Sequence, residues 1–253
     1  MIAISVAGLL LSMVASLVVG SRVLALRWRT RKLPELLLAV ATLCVGFIAY
    51  AVGTAGKILV EGPSELRGSF TLIGLSIECI GHVALVAFSW RVFRPREAWA
   101  GGLAGSLTAL IAVALAGEVV SGELLRYSDM IPISGPWVPF GLAARGAAPT
   151  WMAIECFQLY SKLRLRQRTG LAEPLVVNRV LLWGVAIGCP ALGFAVSVAH
   201  RLIYGTGLRA HVWALSTVSL LATVSAVALS LAFFPPKAYR RWLEERPGPA
   251  PRA

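Results

Sequence analysis

Two carboxylates and one histidine interrupt otherwise apolar stretches of this chain: Glu78, His82 and Glu155. A carboxylate at the centre of a bilayer-spanning helix costs roughly 2.5–3.5 kcal/mol on insertion scales, and such residues face the interior of a bundle. Glu78 and His82 are four residues apart and share a helix face with Thr71, Gly74 and Gly81. Ile73, Ile80, Val83 and Ala87 fall on the opposite face, suited to lipid. At 1.5 Å per residue, His82 and Glu155 both lie about 20 Å from the outer ends of their apolar runs. That register predicts one buried cluster of Glu78, His82 and Glu155, with Gln158 a turn below. The chemistry open to it is a hydrogen-bonded lock between two helices, a proton site, or recognition of a ligand. One histidine is poor provision for zinc, so neither a metal nor a cofactor is expected.

A second polar set is Ser216, Ser219, Thr223 and Ser230, within about 60° of one another on a helical wheel. Such a stripe either packs against a neighbouring helix or lines a polar cavity, and the second reading makes Ser216, Ser219 and Thr223 cavity-lining candidates. Ser5, Gly8, Ser12 and Ser16 form a comparable small-residue stripe that lets helices approach closely. His200 and His211 bracket a short loop with Arg201 and Arg209, close enough to hold an anion, a metal or a haem edge; the simpler account is solvated interfacial side chains. Glu118 and Arg145 are placed to pair.

The elements that position these residues follow from composition. Hydrophobic residues make up 57% of the 253 and charged residues 14%, with a mean hydropathy of +0.75; soluble domains are nearer a quarter charged. Seven apolar runs have the length that spans a bilayer as a helix: Ile2–Gly20, Leu36–Ala55, Ser69–Trp90, Ala98–Ala116, Leu142–Ser161, Val180–Ala199 and Val212–Phe234. The expected fold is an all-α integral membrane bundle of seven transmembrane helices. Residues 1–236 form that domain, and 237–253 form a short basic tail. In the tail, Tyr239, Trp242 and Leu243 with Lys237, Arg240 and Arg241 suit an amphipathic helix in the headgroup region.

Eighteen of the 24 basic residues fall on one side of these spans, in the runs around Arg27, Arg94, Arg166 and Arg240. The positive-inside rule then puts the N-terminus outside and the C-terminus in the cytoplasm of a plasma membrane, or of an inner membrane if the Arg- and Ala-rich composition marks a bacterium. The net charge of +12 is accounted for by this face opposing anionic headgroups, without nucleic acid. The four cysteines lie inside spans without metal spacing and read as small buried apolar residues. Pro149 and Pro190 should bend their helices and free carbonyls at membrane depth. The stretch from Gly117 to Gly141, with Pro132, Pro136, Trp137 and Pro139, is long enough to fold over the bundle as a lid.

The topology is that of rhodopsins and G-protein-coupled receptors, but no motif supports the likeness. Every lysine (Lys32, Lys57, Lys162, Lys237) lies outside the spans, which excludes a retinal Schiff base. No catalytic constellation is present, so an enzyme is not expected. The reading that follows is a receptor-like protein that binds a small apolar or amphipathic molecule within the bundle and signals through its basic face, to a cytoplasmic partner and against membrane lipid. The alternatives are a small proton-coupled transporter and an accessory subunit of a larger membrane complex.

Overall fold

A computed structural model describes residues 2–59, 65–123 and 135–244, and among them every regular element is a helix. In chain order these are α1 (Ile2–Thr30), α2 (Leu33–Leu43), a π-turn (Cys44–Ile48), α3 (Ala49–Leu59), α4 (Glu65–Phe93), α5 (Ala98–Val120), α6 (Trp137–Arg168), α7 (Pro174–Tyr204), a 3₁₀ turn (Leu208–Ala210), α8 (Val212–Phe233) and α9 (Lys237–Glu244). The α2, π-turn and α3 segments form one continuous rod. Six helical stretches are long and apolar enough to cross a membrane: Ala7–Thr30, Leu33–Gly56, Leu66–Phe93, Ala98–Val120, Pro174–Tyr204 and Val212–Phe233. The protein is a membrane-embedded helical bundle.

The expected fifth span lies within α6, which runs beyond both ends of Leu142–Ser161 but is not among these apolar stretches. Arg145 and Glu155 lower its apolarity, and both are buried against neighbouring helices. A helix packed among others need not present an apolar surface to lipid.

The rods close a ring in the order α1, α2/α3, α4, α6, α7, α8 and back to α1, with α5 packed on α4 and α6. The largest core cluster joins α4, α5 and α6 through Leu85, Phe88, Ala104, Trp151, Met152 and Cys156. On α4 the predicted faces are realised in part: Ile73 and Ile80 are 51% and 58% exposed and His82 is 1% exposed, but Val83, expected toward lipid, packs against the cluster of Cys79, Ile111 and Ala144. Glycines set the closest approaches. A Cβ on Gly81 would stand 2.6 Å from Val45 Cγ2 and 2.9 Å from Cys44 Cβ, so α4 can lie against the π-turn only without a side chain there.

Turn chemistry explains the sharp reversals. Arg31 adopts φ +54° directly after α1, with its N–H on the Arg27 carbonyl at 2.8 Å, and Pro34 opens α2. Thr30 donates its hydroxyl to Glu35 across this turn. Gly205 closes α7 at φ +69°. Both internal prolines lie inside continuous helices. Pro190 cannot donate to the carbonyl of Ala186, and the Ser225 hydroxyl of α8 does so instead, at 2.6 Å.

One end of the bundle gathers the basic residues. There Arg22 of α1 donates to the Phe233 carbonyl of α8, Asn178 of α7 donates to Tyr239 of α9, and Arg94 meets Gln158 of α6. In α9, Tyr239 and Trp242 stack at 5.7 Å and Leu243 is buried. Residues 124–134 of the expected lid lie outside the described residues, and α5 and α6 extend into its two ends.

Candidate functional site

The structure divides the predicted cluster into two ion-pair centres at different depths. Glu78 does not meet Glu155. It faces Arg145 of α6, with its Oε1 3.8 Å from Arg145 Nε. Arg145 Nη1 also donates to both carboxylate oxygens of Glu118 in α5, at 3.3 and 3.2 Å, which is the Glu118–Arg145 pairing expected from sequence. Arg145 and Glu118 are 5% and 1% exposed. Gly141 makes the room: a Cβ there would overlap the Glu118 carboxylate. One guanidinium is thereby held between two carboxylates, each from a different helix.

Glu155 lies ten residues further along α6, roughly 15 Å, and belongs to a second centre at the basic end. Arg94, just after α4, places Nε 3.0 Å from both Glu155 oxygens, Nη1 3.0 Å from Glu97, and Nη2 2.7 Å from Gln158 Oε1. Trp151, one turn before Glu155, donates its indole N–H to Glu155 Oε1 at 3.2 Å. Trp99 donates to Glu97. The Arg94 guanidinium holds the Glu97 carboxyl below its usual range and is itself raised, first by its hydrogen bond to Glu155. Glu155 and Gln158 are thus together as expected, but through Arg94, which the sequence reading counted only as a topology signal. The spacing Trp151–Glu155 was the available clue, since four residues put partners on one helix face, whereas Arg94 and Glu97 lie in the connection between α4 and α5.

His82 joins neither centre. Its Nδ1 lies 2.9 Å from the Glu78 carbonyl one turn earlier, and its ring meets Phe194 of α7 edge-on at 5.4 Å. The single-cluster expectation fails because the helix register follows the ion pairs rather than the centres of the apolar runs.

The Ser216, Ser219 and Thr223 stripe packs rather than lining a cavity. Thr223 donates back to the Ser219 carbonyl at 2.9 Å. A Cβ on Gly8 of α1 would stand 2.6 Å from Thr223 Oγ1 and 2.8 Å from the Ser219 carbonyl. Gly8, the smallest member of the α1 stripe, fits against the polar face of α8. Ser216 is only partly buried.

A cavity exists elsewhere, as a groove of about 640 Å³ between α5, α6 and α7. Leu103, Leu107, Trp151, Ile154, Phe194 and Leu202 are among its walls. No charged residue lines it. Its Thr150 hydroxyl is satisfied by the Gly146 carbonyl and its Trp151 N–H by Glu155. Ile154 and Leu202 are 49% and 70% exposed at its rim, so the groove opens on the apolar outer surface of the bundle.

No family model, curated protein or solved structure matches this chain. The functional reading therefore rests on these residues alone.

At the end opposite the basic cluster, His200 and His211 are brought together, with Nε2 of the first 2.9 Å from Nδ1 of the second. His200 is 1% exposed, so it is not the solvated interfacial side chain of the simpler account. Tyr204 and Trp213 pack on the pair. Among the described residues, no three or more His, Cys, Asp or Glu side chains come together as a metal cluster.

Proposed function

We propose that this chain is a receptor-like membrane protein of seven transmembrane helices, binding a small apolar or amphipathic molecule in the α5–α6–α7 groove and reporting it at its basic end. Trp151 carries the reading. Its ring is a wall of the groove, and its N–H donates to the Glu155 carboxylate that holds Arg94. A molecule that displaces the indole changes the donor set of Glu155, and with it the Arg94–Glu97 bond between α4 and α5. The signal has about one helical turn to travel along α6 before it reaches a loop. Because every polar atom in the Thr150 and Trp151 walls is already paired, the groove offers burial rather than hydrogen bonds, which favours an uncharged ligand.

On this reading α6 is the seventh span, its charges neutralised by α4 and α5 rather than presented to lipid. The basic end faces the cytoplasm of a plasma membrane under the positive-inside rule, placing the N-terminus outside. The loop carrying Arg94 and Glu97 then stands where a cytoplasmic partner can read it, and α9 rests among anionic headgroups. A proton-coupled transporter is the second reading, favoured by the two carboxylates that share one guanidinium in each centre.

The test combines native mass spectrometry of the full chain, extracted gently from its own membrane, with hydrogen exchange across the Arg94–Glu97 loop. One retained apolar mass per chain is expected, lost in Ala147→Trp, which fills the groove, together with a change in loop exchange on removing the ligand. A chain that retains nothing beyond bulk lipid, with loop exchange identical in wild type and Ala147→Trp, overturns the receptor reading.

A further inference from the structure

The imidazole pair at the end opposite the basic cluster is used by nothing described above. His200 stands in the last turns of α7, and His211 is the residue that caps the start of α8. The two belong to different helices and are joined by a short connection with a single 3₁₀ turn. Their ring nitrogens converge to 2.9 Å with the ring planes 66° apart. In the ion-free chain one imidazole donates to the other, so one of these nitrogens already presents a lone pair.

We infer that His200 Nε2 and His211 Nδ1 form a two-imidazole site for a borderline transition-metal ion of the Zn²⁺, Ni²⁺ or Cu²⁺ class. Imidazole nitrogen suits these ions, and Zn–N bonds run about 2.0–2.1 Å. Two nitrogens on one tetrahedral ion at that bond length lie about 3.3 Å apart, so inserting the ion opens the pair by only a few tenths of an ångström. The pairing proton of the donor imidazole leaves to solvent, or moves to the other nitrogen of the same ring. His211 is partly exposed, which gives an ion a path from water, while His200 is buried and fixed by Tyr204 and Trp213. His200 also has the Thr206 backbone as a hydrogen-bond partner; once Nε2 is a ligand, Nδ1 carries the proton and can donate it there, as the second nitrogen of a metal-bound histidine does.

Two side-chain ligands leave the remaining positions to water or a small anion, as in an exchangeable site rather than a closed structural one. Bound metal clamps the α7–α8 connection. Ala199 and Leu202, on either side of His200 and Arg201 in sequence, are walls of the groove, so the clamp also stiffens one of its ends.

The experiment is a Zn²⁺ titration of the chelator-treated full chain in mild detergent, by calorimetry and by thermal unfolding, repeated with Cu²⁺ and read by the nitrogen hyperfine pattern of its electron paramagnetic resonance spectrum. One equivalent of Zn²⁺ per chain, a rise in unfolding temperature, and a two-nitrogen Cu²⁺ pattern are expected. His211→Gln, at the partly exposed position, should weaken binding by more than the ~10–100-fold that loss of an outer-shell partner costs and reduce the Cu²⁺ pattern to one nitrogen. His200→Gln should do the same where it folds; where it does not, His211→Gln decides. Absence of saturable binding, or equal binding by wild type and His211→Gln, overturns the assignment.

Discussion

Replacing Arg145 with methionine tests whether its ion-pair centre holds α4, α5 and α6 together. Arg145 is 5% exposed and contacts two carboxylates, Glu118 through its terminal nitrogen and Glu78 beside Nε. Methionine keeps much of the side-chain volume but leaves Glu118, itself 1% exposed, buried without its cation. Breaking a buried ion pair from one side costs about 3–5 kcal/mol, most of it the uncompensated charge. For a chain of this size each kcal/mol moves the midpoint by about 2–4 °C, so the expected loss is roughly 6–20 °C. Glu118→Gln alone should change stability by no more than about 1 kcal/mol: it removes a bond to Arg145 and also the desolvation of a second carboxylate. The decisive variant combines the two. Arg145→Met with Glu118→Gln should be more stable than Arg145→Met alone, with a coupling energy of about 2 kcal/mol. Unfolding in mixed micelles followed by tryptophan fluorescence would report all four species of the cycle. An Arg145→Met protein within about 1 kcal/mol of wild type, or a double variant destabilised by the sum of the singles, refutes the reasoning.

Two further predictions use the same assay. Ser225→Ala removes the donor to the Ala186 carbonyl and should cost about 1–3 kcal/mol, the penalty for an unsatisfied buried acceptor. Adding Pro190→Ala supplies a backbone N–H to that carbonyl and should recover part of the loss; a double variant no better than Ser225→Ala sinks the account. At the basic end, Arg94 holds the Glu97 carboxyl below its usual value, so this pair stabilises the fold above the unfolded carboxylate pKa of about 4.3 and loses its effect as pH falls through the lowered folded value. Wild type should therefore lose more stability than Glu97→Gln on acidification from neutral pH to below about pH 4, and parallel pH profiles count against it.

The sequence read well where the signal was local. Apolar run length located six of the rods, and the four-residue spacing of Glu78 and His82 correctly put both inward, with Ile73 and Ile80 turned out. The amphipathic pattern of Tyr239, Trp242 and Leu243 anticipated α9. Depth was not legible, because counting from the ends of apolar runs assumes that every helix is centred on the membrane. Helix α6 is set by where Arg145 finds Glu118 and Glu78, and that depends on two other helices. The cavity was misplaced for a related reason. A polar stripe such as Ser219 and Thr223 marks either water or a close neighbour, and the choice was made by Gly8, more than two hundred residues away.

The two centres share a design that bears on which parts of the bundle can move. Each sets one arginine between two glutamates, and each draws on α4, α5 and α6 or the loops that join them. One centre uses Glu78, Glu118 and Arg145, and the one at the basic end uses Arg94, Glu97 and Glu155. Two pins at different depths resist both sliding and rotation of these three helices. Helix α7 is held by neutral groups in the bonds described above, the Ser225 hydroxyl of α8, the His200–His211 pair and Asn178 on Tyr239, and it meets α6 through Phe194 beside Gly146 and Phe157 beside Gly184. The groove lies along this boundary, with α5 and α6 on its pinned side and α7 on the other. On the proposed reading, a ligand that widens the groove displaces α7 before it strains either ion-pair centre, and Trp151 passes that displacement to Arg94 through Glu155.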